Sequence, residues 1–207
     1  DGSEMFAPYH PILPTNRVMY AGEPVAAVIA ESMALARDAT ELIAFDYEEL
    51  PAAATATDAL APGAPQLWEQ CPGNLGCDWV FGDKQQVDTL FETAAHVVTI
   101  DAIQNRLSPS SMEPRATLAV YESSVDEYTL YLASQNPHYI RQLTSSVTMP
   151  HIPETKLRVV APDVGGGFGS KTPQYNEEYL CLYGAKQTGR PVKWVGERSE
   201  AFVSDAH

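Results

Sequence analysis

KLRVVAPDVGGGFGSKTP, residues 156–173, sets a short apolar run directly before four glycines that fall within five positions. KLRVVAPD reads as a strand that feeds directly into the glycine stretch. The glycines follow at once, with Phe168 among them and Lys171 two places beyond the last. Asn176, Glu177 and Glu178 then put polar and acidic groups where a helix N-terminus favours them. That helix is predicted to run to about Gln187, with Gly189 and Pro191 closing it and VKWV (192–195) as a last strand.

Working upstream, RATLAVYE (115–122), EYTLYLAS (127–134) and HVVTIDAIQ (96–104) read as three further strands. Asn136-Pro137 is an N-cap and first-turn pair opening a helix with Ile140, Leu143 and Val147 inward, which Met149-Pro150 ends. Nearer the start, VAAVIA (25–30) looks like a buried strand after the turn AGEP. Ser32 caps a helix from Met33, with Leu35, Ala39, Leu42 and Ile43 on one face, and IAFDYEEL (43–50) alternates as a half-buried strand. Residues 51–65, PAAATATDALAPGAP, keep no amphipathic period and read as linker. The expected class is α+β, with 1–55 as one partial domain, 56–82 as a linker and 83–207 as a second partial domain.

The charge of −14, from 27 acidic and 13 basic side chains, disfavours nucleic acid and anionic membranes as partners. No apolar run approaches the roughly 20 residues of a membrane span. Cys71, Cys77 and Cys181 match no zinc or disulfide pattern, and His10, His96, His138, His151 and His207 are scattered, so no metal held directly by side chains is expected. The chain opens on Asp1 and stops at SDAH, as a piece of a longer polypeptide would.

Four readings of the glycine stretch are open. A phosphate loop would need Gly where Ser170 stands, and Pro173 lacks an N–H where the helix should donate. A dinucleotide fingerprint meets the same Ser170 and lacks its later acidic residue. A tight bend that binds nothing is the structural alternative. Close backbone approach to a bulky cofactor is the fourth, and it explains one aromatic ring set among glycines, as a wall for a planar substrate.

The rest of the chain bears on that choice. RVMYAGEPVAAVIAES (17–32) and ARDATELIAFDYEELPA (36–52), then PGNLGCDWVFGD (72–83), MEPRATLAVYE (112–122), LYLASQNPHYIRQ (130–142), LRVVAPDVGGGFGSK (157–171) and GRPVKWVGERSE (189–200), follow one another in an order that resembles the molybdenum-binding large subunit of the xanthine dehydrogenase and aldehyde oxidase family. It is most similar to the bacterial branch that holds carbon monoxide dehydrogenase and aldehyde or heterocycle oxidoreductases. The resemblance implies the end of an α/β hammerhead domain followed by the first part of a molybdopterin-binding α+β domain.

It also implies roles. Gly166, Gly167 and Gly169 would contact a molybdenum–pterin cofactor, in the cytosine dinucleotide form, through backbone, with Phe168 as the substrate-pocket wall. Gln135, in SQNPH, would donate a hydrogen bond to an oxo ligand of the metal, for which an uncharged amide donor is suited. Without the resemblance, Gln135 reads as a polar residue beside the Asn136 cap. Glu113 and Arg115 read as a buried pair or a turn between strands, with the structural role favoured. Lys171 reads as a phosphate neutraliser or a solvated loop residue, and Trp68, Trp79 and Trp194 as core or linker packing.

The family's reaction is hydroxylation with oxygen from water, assisted by a Glu that lies beyond His207. Its electrons leave through iron–sulfur clusters on a small subunit and FAD on a medium subunit, in a dimer of heterotrimers. Thr172 stands where the purine-oxidising branch carries a Glu, so an aldehyde, an N-heterocycle or carbon monoxide is the expected substrate. The expected location is the cytoplasm, or export with a partner subunit. A non-catalytic homologue serving as an assembly surface is the alternative.

Overall fold

The computed structural model describes residues 5–146 and 151–206. Two compact units divide them. One joins residues up to Tyr9 to Asp46–Asn105; the other joins His10–Phe45 to residues from Arg106 onward.

The first unit holds the short helices Ala56–Leu60 (α2) and Lys84–Thr93 (α3) and a 3₁₀ turn at Pro72–Asn74. Thr55 caps α2 and Asp83 caps α3, each accepting a backbone N–H three residues on. Residues 51–65, expected as unpatterned linker, thus include a capped helix, and Asn74 ties that region together: its side chain accepts from Leu67 N at 2.9 Å and donates to Ala59 O and Pro65 O. Helix α3 lies just past the expected linker, at the start of the second partial domain, and Asp83 before its polar run is the N-terminal signal for it. HVVTIDAIQ is not a strand here: no ladder partner lies among the described residues, and Val98, Ile100 and Ile103 are exposed. Trp79 is exposed and stacks on Phe81 rather than packing in a core; Trp68 lies against Phe6.

The second unit begins with helix α1, Met33–Thr40, capped as expected by Ser32, whose Oγ accepts from Leu35 N. It stops at Thr40, so Leu42 and Ile43 fall outside it and Leu42 is exposed. VAAVIA forms no ladder among the described residues, nor does IAFDYEEL, which passes from this unit into the first. Ile29 leans instead on a helix, at Gly184, where any Cβ would collide with it.

The sheet of this unit is built from Ala116–Glu122 (β1), Glu127–Leu132 (β2), Leu157–Val160 (β3) and Val192–Val195 (β4), in the order β3-β2-β1-β4. β1 pairs antiparallel with β2 and β4, and β2 pairs parallel with β3. A parallel neighbour needs a crossover, which helix α4, Pro137–Ser146, supplies between β2 and β3. Ile140 and Thr144 are its buried residues, and Leu143 is half-buried; Val147 and the Met149-Pro150 stop lie outside the described residues. Helix α5, Asn176–Thr188, ends where Gly189 turns left-handed and packs on β1. Helix α6, Arg198–Ser204, follows β4 and was not foreseen; Glu197 and Glu200 form its capping box.

Strand alternation and helix period meet in one core. Tyr128, Leu130 and Leu132 point inward from β2, Ala119 from β1, Ile140 from α4 and Cys181, Leu182 and Ala185 from α5. Each fully buried Leu or Ile contributes about 1.5–3 kcal/mol of apolar burial. This core fixes the end of β2, where Gln135 follows, and the end of β3, where the glycine loop begins.

Candidate functional site

Gln135 sits three residues past β2, and the glycine loop five past β3, so the parallel pairing of the two strands delivers both to one edge of the sheet. Gln135 N donates to Lys171 O at 2.9 Å. The Gln135 Oε1 accepts from Gly169 N at 3.0 Å and from Lys171 N at 3.2 Å. Two backbone donors on one amide oxygen fix which end is which, because the reversed amide would set NH₂ against N–H. The Nε2 donor faces away, with no acceptor among the described residues, and the residue is exposed. Gly167 makes room for this side chain: a Cβ there would lie 2.6 Å from Gln135 Cδ and 2.8 Å from Cγ.

Gly166 and Gly169 adopt φ of 93° and 98°, which L side chains rarely tolerate. Phe168 between them is also left-handed, at φ 49°, a strained choice for an aromatic residue. The residue is 75% exposed. A turn fastens the loop from below: Ser170 N and Oγ both donate to Gly167 O, and Thr172 N donates to Gly169 O. Tyr175 donates its hydroxyl to Ser170 O.

Lys171 is neither solvated nor free to meet a phosphate. Its side chain is 1% exposed and its ammonium binds Glu113 Oε2 at 2.7 Å and Glu113 O at 2.8 Å. Burial works against the charged Glu113 carboxyl, but hydrogen bonds from Lys171 and Gly165 outweigh it and hold its pKa below the usual carboxylate value. Glu113 and Arg115 are therefore not each other's partners. Arg115 is buried and forks to Glu177 Oε2 at 3.0 Å and Asp205 Oδ1 at 2.6 Å, with its guanidinium 3.7 Å from the Tyr175 ring centroid and 5.0 Å from that of Trp194. Sequence patterning missed both pairings, since the partners lie far apart along the chain.

Glu178, next to that hub, is buried, and its Oε2 and the Thr117 Oγ1 have no partner among the described residues. Both residues line a cavity of about 10 Å³, room for one water. Burial, then the Glu177 charge, pushes the Glu178 pKa from its ordinary 4.5 up to about 8. The folded state therefore keeps a proton that the unfolded chain releases. This group favours folding most below about pH 4.5, and the advantage is lost as pH rises to about 8. Glu178→Gln is expected to flatten that fall: melting temperatures of both full-length proteins between pH 5 and 8 should diverge as pH rises, with the variant the more stable at pH 8.

Among the described residues, no three His, Cys, Asp or Glu side chains converge as metal ligands, and no helix is long and apolar enough to cross a membrane. The loop instead offers the outward Gln135 amide as a donor and glycine backbone bare of side chains, with nothing within 4 Å of the place a Gly169 Cβ would take. That set fits a bulky cofactor bringing its own metal, with anionic oxygens to be met by neutral donors.

Residues 67–207 match the molybdopterin cofactor-binding domain, and residues 2–51 match the a/b hammerhead domain of aldehyde oxidase and xanthine dehydrogenase. The carbon monoxide dehydrogenase large chain of Hydrogenophaga pseudoflava is 34% identical over 213 residues, covering 95% of this chain and 26% of that protein. The nicotine 6-hydroxylase large subunit of Paenarthrobacter nicotinovorans is 36% identical over 199 residues, covering 95% and 24%. Among solved structures, quinoline 2-oxidoreductase from Pseudomonas putida 86 superposes with a TM-score of 0.83 at 33% identity, covering 98% of this chain and 26% of that one. The chain thus spans about a quarter of the length of these relatives.

Proposed function

This chain belongs to the molybdenum-binding large subunits of the xanthine dehydrogenase and aldehyde oxidase family, and we propose that Gln135 and the loop Gly166–Gly169 form one wall of the cofactor and substrate site of a molybdenum hydroxylase. The observation that carries the proposal is the Gln135 amide, oriented by two loop N–H groups so that its donor end is left without an acceptor among the described residues. A pterin-bound molybdenum, when present, supplies the redox and oxygen-transfer chemistry.

This chain's own residues do the positioning. Gln135 Nε2 donates to an oxygen of the cofactor without adding charge. Backbone of Gly166, Gly167 and Gly169 lies against the cofactor, and no side chain ligates the metal. Phe168 presents its ring to a planar substrate and excludes water from one side. The general base and the remaining walls belong to the rest of the full-length protein. Residues 1–55 and 83–207 are proposed as the two partial domains, joined by 56–82. Iron–sulfur and FAD subunits, a dimer of heterotrimers, the cytosine dinucleotide form of the pterin and a cytoplasmic location complete the reading.

Thr172 shapes the substrate side. It is exposed, just past Lys171, and has no carboxylate to hold a purine. The similarity to relatives named for carbon monoxide and nicotine supports carbon monoxide or an N-heterocycle as substrate, with an aldehyde as the third class proposed. The test is the full-length protein with its partner subunits, assayed for molybdenum and for dye reduction with each class. One of the three is expected to exceed xanthine in kcat/KM by roughly tenfold or more. Equal or better oxidation of xanthine contradicts the substrate assignment, and absence of molybdenum contradicts the function.

A further inference from the structure

Phe168 holds an unfavourable backbone conformation on an exposed loop, and such a conformation persists only where its surroundings over-determine it. Two side chains outside the glycine motif do so. Glu113 and Gly165 are tied both ways: Gly165 N donates to Glu113 Oε2 at 2.8 Å, and Glu113 N donates to Gly165 O at 3.3 Å. The same carboxylate takes the Lys171 ammonium at 2.7 Å. Glu113 therefore grips the loop at its first glycine and again, through Lys171, just past its last.

The pair has an unusual balance. The ammonium is 1% exposed while the Glu113 side chain is 36% exposed. Burying a lysine costs free energy that a surface residue would avoid, so its position asks for a reason. Solubility cannot be that reason, nor can contact with a charged ligand, because Glu113 already takes the charge. What Lys171 does accomplish is to fix the backbone three residues past Phe168. Gln135 holds the same stretch from the other side, at Gly169 N and Lys171 N.

We propose that Glu113 and Lys171 are positioning residues that hold Phe168 in its left-handed, ring-out geometry, and so set the substrate wall without touching substrate. This rests on the reading of Phe168 given above. A purely structural salt bridge would alter abundance or melting only. A positioning pair alters the loop locally and acts through Phe168.

The experiment uses the full-length protein and the variants Lys171→Met, Phe168→Ala and their double. Amide hydrogen exchange of the peptide spanning 163–173 is read first, independent of turnover. Lys171→Met is expected to speed its exchange roughly tenfold or more, with distant peptides unchanged. Per bound molybdenum, kcat/KM is then expected to fall about 10- to 100-fold in Lys171→Met. In the Phe168→Ala background the same change should cost less than about twofold, since both act through one ring. Unchanged loop exchange overturns the proposal, and so do effects of the two substitutions that multiply. Should Lys171→Met fail to accumulate, Glu113→Gln carries the same readouts, because its site is part-exposed and an amide keeps the shape. If the wild-type protein holds no molybdenum or oxidises nothing, the proposed function fails while the exchange result still judges the pair. If Phe168→Ala alone is silent in an active enzyme, the wall assignment fails and the pair has nothing to position.

Discussion

Gly167→Ala is expected to lower turnover per bound molybdenum by about 100-fold or more, the scale on which ångström misplacement of a catalytic group acts. The added methyl would stand 2.6 Å from Gln135 Cδ and 2.8 Å from Cγ, inside contact distance. Gln135 is the flexible partner and would move. Moving breaks the bonds its Oε1 accepts from Gly169 N and Lys171 N, and the donor end loses its aim. Because Gln135 is exposed, the displaced side chain finds water and the fold survives. Metal content and melting should therefore stay near wild type while kcat falls. A variant turning over within about threefold of wild type would show that the Gln135 geometry is not what this loop protects.

Arg115→Met should have the largest effect on stability, at about 3–5 kcal/mol, the usual consequence of removing one partner from a buried ionic cluster. Its carboxylate partners are themselves nearly buried, with Glu177 at 13% and Asp205 at 12% exposed. Without the guanidinium both face an apolar shelf of Tyr175 and Trp194 with no cation to offset their desolvation. The three residues join the start of β1 to α5 and to the end of α6, so the loss spreads across the sheet edge. Arg115→Lys would keep the charge yet not fork to two carboxylates, and it should fall between the two. Denaturant unfolding read by tryptophan fluorescence checks this, since Trp194 lies beside the cluster. An Arg115→Met protein with the wild-type midpoint would mean that the hub contributes nothing net.

The elements legible in the sequence are those that find a partner among the described residues. RATLAVYE, EYTLYLAS, KLRVVAPD and VKWV each contain a strand, because the residues that alternate inward find neighbours in the same sheet. Asn136-Pro137 and Gly189 are legible because helix ends follow local backbone chemistry: α4 opens at Pro137, and Gly189 turns left-handed after α5. VAAVIA, IAFDYEEL and HVVTIDAIQ carry equally good strand composition and form no ladder among the described residues, since a strand exists only by pairing. Their exposed apolar side chains belong to a chain that spans a quarter of its relatives' length. At the site, the resemblance points to Gln135 and the glycines, and the fold sets Gln135 in a hydrogen bond with Gly169 N and against Gly167. The Glu113–Lys171 and Arg115–Glu177–Asp205 pairings were hidden for a different reason. Which of many charges meet across tens of residues is decided by the tertiary fold, not by local pattern.

The most direct measurement is the experimental structure of the full-length protein with its molybdenum cofactor bound. Gln135 Nε2 is expected within hydrogen-bond distance, roughly 2.7–3.2 Å, of an oxygen on the metal. Gly166, Gly167 and Gly169 are expected in van der Waals contact with the cofactor, and the Phe168 ring on the substrate side. A cofactor seated away from this loop, with Gln135 Nε2 turned to solvent or to protein, would contradict this assignment.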